Sequence, residues 1–128
     1  MPSSAGEGAG FTTARLAVGT RGHDRSIVIS PAGELDHDSV GLLHERLDAA
    51  LARLRDHAAN GVVVDCRELR FCDSTGLNAL LGARLDVEAA GGSLVLTALR
   101  PAVARVFEIT GADTVFDIRP DLSAVITH

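Results

Sequence analysis

The sequence predicts an α/β domain in which a mixed, mostly parallel β-sheet of about four to five strands carries about four helices, mainly on one face. Short apolar, β-branched runs alternate with longer segments whose apolar residues recur at helical spacing. A pair of strands at the start reads as a hairpin and makes the sheet mixed. The 128 residues fit one domain, which we assign to residues 11–128 after a Gly-, Ser- and Ala-rich tail at residues 1–10.

The chain begins with the predicted hairpin. Alternating or β-branched residues predict strands at residues 11–18 and 26–30. A polar, Gly-containing stretch at residues 19–24 predicts the loop between them, and Pro31-Ala32-Gly33 predicts a break after the second strand.

A helix and a central strand follow. Apolar residues at helical spacing predict an amphipathic helix from Val40 to Leu54, capped by Asp38 or Ser39. The apolar run at residues 62–66 predicts a short strand that is buried on both faces.

The second half continues the alternation. We expect a helix that begins near Ser74 and stops at a pair of glycines, a strand at residues 93–98, and a helix with Pro101 in its first turn. A short strand at residues 115–118 and a helical turn or two at residues 121–127 complete the pattern.

Composition excludes several classes of function. The 17 acidic residues outnumber the 12 basic ones, giving a formal charge of −5, which argues against a nucleic-acid groove. No apolar run approaches the roughly 18 residues that span a bilayer, and the N-terminus lacks the features of a secretory signal, so we expect a cytoplasmic protein without a membrane partner. The chain has no lysine, which excludes a P-loop. Cys66 and Cys72 suit a reduced core better than a disulfide.

The segment from Phe71 to Leu77 breaks the apolar pattern between the central strand and the second helix. In one interpretation, Asp73 or Ser74 caps the helix, while Gly76 allows another backbone to approach closely. In the other, a hydroxyl at the start of a helix is a phosphorylation site, because free N–H groups and the helix dipole favour an anion there. Phosphate beside Asp73 would then repel a partner matched to a neutral hydroxyl.

The segment at residues 33–39 concentrates three acids where the second strand turns into the first helix. Taken alone, it is an ordinary acidic first turn, favoured by the helix dipole. Its importance rises if it lies beside Ser74, as neighbouring strand-to-helix turns on one edge of a sheet would.

Catalytic and metal-binding alternatives find little support. A serine hydrolase using Ser74 would be expected to follow the pattern G-x-S-x-G, but Cys72 stands where that pattern has its first glycine. The five histidines are scattered, and none forms a metal-binding spacing with the cysteines.

Several segments together resemble STAS domains, specifically the bacterial anti-sigma-factor antagonists. The similarity covers residues 11–125. It is carried by Gly-Glu-Leu-Asp at residues 33–36, Val-Val-Val-Asp at residues 62–65, Asp-Ser-Thr-Gly-Leu at residues 73–77, the glycine pair at residues 91–92, and Pro-Ala-Val followed by Val-Phe within residues 101–107.

The resemblance implies a non-catalytic switch protein. The unphosphorylated form would bind an anti-sigma factor that is itself a serine kinase, and would thereby release the sigma factor. Phosphorylation of Ser74 would reverse this binding, with Thr75 as the runner-up for the phosphorylated residue. A serine phosphatase would then remove the phosphate and restore the binding form. ATP and Mg²⁺ would belong to the kinase, so no cofactor is expected here. The alternative is a STAS scaffold subunit of a larger signalling complex.

The same resemblance predicts a partner-binding surface. Asp36 would make a polar contact near the nucleotide site of the kinase, and Leu77 with Asn78 would lie on the docking face. Asn78 replaces the small residue that is usual in the family, which bears on the choice of partner. The complete predicted set is Asp36, Asp73, Ser74, Thr75, Gly76, Leu77 and Asn78.

Overall fold

The computed structural model describes residues 15–125. Within this part of the chain, the strands are β1 (Leu16–His23), β2 (Ser26–Leu35), β3 (Gly61–Asp65), β4 (Leu69–Cys72), β5 (Ser93–Thr97) and β6 (Asp117–Arg119). The α-helices are α1 (Val40–Arg55), α2 (Ser74–Ala89) and α3 (Pro101–Thr110), and short 3₁₀ turns occupy Ala112–Thr114 and Leu122–Ala124. The tail at residues 1–10 lies outside the described residues.

The strands form one mixed sheet in the order β1-β2-β3-β5-β6, and β4 pairs with the far end of β2. Only the β1–β2 pair is antiparallel among these pairings. The predicted α/β class with a mostly parallel sheet is therefore confirmed. The described chain has six strands rather than four to five, and three α-helices with two 3₁₀ turns rather than four helices.

The opening hairpin is longer than predicted. The expected loop at residues 19–24 is wrong, because β1 stays paired with β2 as far as His23 and Ser26, which leaves only Asp24 and Arg25 in the turn. The expected break at Pro31-Ala32-Gly33 is also wrong.

Strand β2 continues through Pro31 because its parallel partner changes there. Its pairing with β3 ends at Ile29, and its pairing with β4 begins at Gly33. Proline has no backbone N–H to donate, and it is tolerated here because no parallel strand of the described residues pairs with β2 between Ile29 and Gly33. Gly33 has a φ of 113°, and a Cβ there would lie 2.2 Å from the carbonyl oxygen of Arg15, so only glycine fits.

One apolar core joins the helices to alternate residues of the strands. Leu43 of α1, Leu80 of α2 and Phe107 of α3 are all at most 1% exposed and belong to the same cluster as Val62 and Val64 of β3. Because residues two apart in a strand share a face, the helices pack mainly against one face of the sheet. This packing fixes the positions at which β2 and β4 lead into α1 and α2.

Both cysteines are buried and free, as expected. Burial raises the pKa of the Cys66 thiol far above its ordinary value, with a further contribution from Asp65. Burial and the neighbouring Asp73 raise the pKa of Cys72 to about 12. These thiols are core residues rather than nucleophiles.

Candidate functional site

Asp73 joins two strand-to-helix turns at one edge of the sheet. One carboxylate oxygen accepts a hydrogen bond from the Gly76 N–H at 2.9 Å and caps α2. The other oxygen accepts from the backbone N–H of His37, in the turn between β2 and α1, at 3.3 Å. The N–H of Asp73 itself donates to the carbonyl oxygen of Leu35 at 3.1 Å. The two motifs that were separate in the sequence therefore form one site.

Ser74 is the first residue of α2, and its side chain is exposed. Within residues 15–125 its hydroxyl has no hydrogen-bond partner, since Asp73 takes over the capping. The first N–H groups of a helix also lack helical acceptors, and they favour an anion nearby. Thr75, the predicted runner-up, is half-buried. Of the two hydroxyls, that of Ser74 is the more open to a modifying enzyme.

Gly76 and Leu77 form the inner side of this helix start. A Cβ at position 76 would lie 2.7 Å from Cγ of Leu35 and 3.0 Å from Sγ of Cys72, so α2 approaches closely at this point. The close neighbours are side chains rather than the backbone that we expected. Leu77 is only 4% exposed and belongs to the core, although it also lines a groove beside Ser74, and its contact with a partner stays a prediction. Asn78 is exposed.

Asp36 is buried and holds the first turn together. One of its carboxylate oxygens accepts from the N–H groups of Asp38 at 3.0 Å and Ser39 at 3.1 Å, and the other forms an ion pair with Arg15. Burial by itself would raise the pKa of Asp36, but the two backbone hydrogen bonds and the Arg15 charge outweigh it and hold the pKa below its usual value. At 4% exposed, this carboxylate orders the turn, and its direct contact with a partner stays a prediction.

Ser39 occupies the N-cap position of α1, but its side chain does not cap the helix. Its hydroxyl donates to the carbonyl oxygen of Glu34 at 2.8 Å and accepts from the N–H of Asp36 at 3.0 Å. The prediction of a cap by Asp38 or Ser39 is therefore wrong. Instead, the side chain of Asp36 accepts hydrogen bonds from the backbone N–H groups of Asp38 and Ser39 in this turn.

Charged groups surround the two turns. Arg15 pairs with Glu34 at 2.9 Å and approaches Asp38 at 3.5 Å, in addition to its contact with Asp36. The imidazole of His37 lies 3.4 Å from Asp38 and 4.0 Å from Asp73. Sequence reasoning missed Arg15, because nothing local marks a residue that reaches a turn about twenty positions away.

An uncharged groove begins at Ser74. It has a volume of about 320 Å³ and runs between α2 and the turn that follows α3. Ser74, Asn78 and Leu81 lie on the α2 side, and Thr110 and Val115 lie on the other side.

The described residues do not favour the catalytic alternatives. No hydrogen bond in this part of the chain links Ser74 to an imidazole, which a serine nucleophile requires. Between residues 15 and 125 there is also no group of three or more His, Cys, Asp or Glu side chains placed to hold a metal ion. Within the same residues, no helix is both long and apolar enough to span a bilayer.

The chain was compared with models of known protein families. The family model described as "Mlab, STAS domain" matches residues 18–120. The chain belongs to the STAS-domain family. The resemblance seen in the sequence motifs is thereby confirmed.

The similar proteins include two anti-sigma factor antagonists. The anti-sigma-B factor antagonist of Bacillus subtilis (strain 168) is 32% identical over 103 residues, which cover 80% of this chain and 90% of that protein. The anti-sigma F factor antagonist of Paenibacillus polymyxa is 28% identical over 98 residues, covering 77% and 79% of the two chains.

Solved structures show the same fold. An anti-sigma factor antagonist from Mycobacterium paratuberculosis superposes with a TM-score of 0.79 at 25% identity and covers 91% of this chain and 95% of its own. The antagonist SpoIIAA in its unphosphorylated form gives a TM-score of 0.65 at 26% identity, covering 80% and 87%. These similarities extend over nearly the whole described domain.

Proposed function

We propose that this STAS domain is an anti-sigma-factor antagonist controlled by phosphorylation of Ser74. The unphosphorylated form binds an anti-sigma serine kinase in the cytoplasm and releases the sigma factor, and phosphorylation reverses the binding. The observation that carries this proposal is the exposed Ser74 hydroxyl, which has no partner among residues 15–125, at a helix start that Asp73 already caps. The names of the similar proteins support the same class of function.

The start of α2 accepts a phosphate without disturbing the fold. The capping hydrogen bond belongs to Asp73, so esterification of the Ser74 oxygen breaks no internal hydrogen bond among the described residues. The helix dipole and free N–H groups favour the added anion locally. Phosphorylation therefore changes what a partner meets on the surface while it leaves the domain folded.

The added charge weakens binding of a partner that fits the neutral hydroxyl. A phosphoserine carries about −1.5 to −2 charges at neutral pH. It would join Asp73, Asp38 and Glu34, the last two of which already share the positive charge of Arg15. In a desolvated interface, repulsion of this kind costs several kcal/mol, enough to separate the two states by more than tenfold.

The remaining residues of the site have supporting roles in this proposal. Asp36 orders the turn that lies beside Ser74, and Gly76 allows α2 to start against Leu35. Asn78 is exposed one turn beyond Ser74 and contacts the partner. ATP, Mg²⁺ and the catalytic groups come from the kinase, and a separate serine phosphatase restores the hydroxyl.

Phosphoryl transfer tests the assignment of the acceptor. The protein is incubated with ATP and each anti-sigma serine kinase of its source organism, and intact mass and peptide mapping report the modification. We expect one phosphoryl group on wild type and on Thr75→Ala, and none on Ser74→Ala. Equal incorporation into Ser74→Ala and wild type would reject Ser74 as the acceptor, and loss only in Thr75→Ala would move the site to the runner-up.

A further inference from the structure

His37 connects the two turns of the site through both its backbone and its ring. Its backbone N–H donates to a carboxylate oxygen of Asp73 at 3.3 Å. Its Nδ1 lies 4.0 Å from the same oxygen, while its Nε2 lies 3.4 Å from Asp38. The imidazole therefore lies beside the residue that directly precedes Ser74. Because its side chain is 72% exposed, the ring is free to turn toward a group that is added there.

His37 is also the one residue of these two turns that can carry a positive charge. The other charged residues of segments 33–39 and 71–77 are all acidic: Glu34, Asp36, Asp38 and Asp73. Arg15 reaches the site from the start of β1, but three of these acids already share its charge. An unperturbed imidazole gains its proton near about pH 6.5, so the charge of this ring changes within the physiological range.

A phosphate on Ser74 would enter an acidic place that offers few free positive groups. It adds about −1.5 to −2 charges. The start of α2 contributes the partial positive charge of its N–H groups, but Asp73 already accepts from that of Gly76. The Cα atoms of consecutive residues are about 3.8 Å apart, and a phosphate extends further than the hydroxyl it replaces. Its oxygens therefore come within reach of the ring that lies beside Asp73.

We propose that protonated His37 binds the phosphate of phosphorylated Ser74 and thereby makes the phosphorylated state sensitive to pH. The inference rests on the proposed function and names a residue that regulates the same site. A hydrogen bond from an imidazolium to a phosphate is charge-assisted, and it is stronger than one between neutral groups. The phosphate carries more charge than one carboxylate, so Nδ1 exchanges its distant contact with Asp73 for a direct bond to the phosphate.

The two protonation equilibria are linked. A dianionic phosphate favours the imidazolium, and the imidazolium favours the dianion, by the same amount for one pair of sites. The groups that face the ring are Asp38 of its own turn, Asp73 of α2 and, through Asp38, Arg15 of the segment before β1. Carboxylates and guanidinium groups keep their charge between about pH 6 and 8. As the pH rises through this range, the imidazolium loses its proton and the phosphate repels the kinase without compensation.

Nuclear magnetic resonance of the phosphorylated protein tests the inference without the kinase. Phosphoserine is placed at position 74 during translation by an expanded genetic code, and the phosphorus signal is followed as the pH is varied. We expect the phosphate of wild type to lose its last proton about 0.5 pH unit or more below that of His37→Gln. This variant keeps the backbone N–H that binds Asp73. His57→Gln, an exposed substitution just after the other end of α1, is the matched control and should titrate like wild type.

The ring supplies an independent measurement of the same coupling. The imidazole signal of His37 should reach half-protonation at a higher pH in the phosphorylated protein than in the unmodified one, by a similar amount. Equal phosphorus titrations of wild type and His37→Gln would overturn the inference. If the kinase is nevertheless released by phosphorylation, the proposed function stands. If the coupling is present but the phosphorylated protein binds the kinase as tightly as the unmodified one, the contact is real and the proposed function fails.

Discussion

The carboxylate of Asp73 accepts a hydrogen bond from the backbone N–H of His37 at 3.3 Å while it caps α2. One side chain thus fixes the start of a helix and attaches a neighbouring turn to it. The arrangement follows from parallel pairing, because β2 and β4 end at the same edge of the sheet, at Leu35 and Cys72. Ser74, the next residue, is held in place by contacts that do not use its own hydroxyl.

Removal of the Asp73 carboxylate should destabilise the domain. Asp73→Ala loses the α2 cap and the bond to His37, and helix caps contribute about 0.5–2 kcal/mol. Urea unfolding should show a lower midpoint for this variant than for the control Asp48→Ala, which changes an exposed residue of α1. Identical midpoints for the two variants would contradict the role given to Asp73.

Two glycines of α2 should respond in opposite directions to alanine. Gly76→Ala brings a Cβ within 2.7 Å of buried Leu35 and should destabilise the protein by about 1–3 kcal/mol. Gly82→Ala meets nothing within 4 Å and should stabilise it by up to about 1 kcal/mol through helix propensity. Thermal and urea unfolding measure both changes. A Gly76→Ala variant as stable as Gly82→Ala would show that α2 does not pack this closely.

Asp36 should contribute to the loss of stability in acid. Its pKa is lower in the folded protein than in the unfolded chain, so its contribution is present above the unfolded pKa near about 4 and is lost as the pH falls toward the folded value. Asp121, whose pKa is lowered first by the Ser123 hydroxyl, acts in the same direction. Asp36→Asn should therefore lose less stability than wild type between pH 7 and pH 3, as measured by urea unfolding. An equal loss of stability in both proteins would contradict the contribution assigned to the Asp36 carboxylate.

The two thiols should be inert until the protein unfolds. Burial raises the pKa of Cys72 to about 12 and that of Cys66 higher still, so little thiolate forms at pH 8. An aromatic disulfide reagent should label neither cysteine in the native protein at this pH and both in concentrated urea. Rapid labelling of the native protein would show that the core at these positions is open.

The start of α2 could be predicted because its signals are local. Asp73 and Ser74 precede an apolar helical pattern, and a capping side chain acts within three residues of its own position. The acidic turn at residues 33–39 was also visible, and the expected topology allowed it to lie beside Ser74 without deciding that it did. Features that depend on residues close together in the sequence, such as this helix start, could therefore be predicted without the structure.

Features that depend on distant pairing were missed or misinterpreted. Strand β4 has only four residues, two of them exposed, and exists because β2 extends beyond the end of β3. The glycines at positions 19 and 22 suggested a loop, but pairing with β2 along eight residues keeps them in β1. Leu77 was expected on the docking face from the family resemblance alone, and its position on the helix places most of its side chain in the core.

The central claim is that one phosphoryl group on Ser74 changes the affinity for the kinase, and a direct titration measures this. Kinase binding is compared for the unmodified protein, the purified phosphorylated protein, Ser74→Glu and Ser74→Ala. We predict that phosphorylation weakens binding at least about tenfold, with Ser74→Glu weakened in the same direction and Ser74→Ala close to the unmodified protein. Equal affinities of the phosphorylated and unmodified proteins would contradict the account.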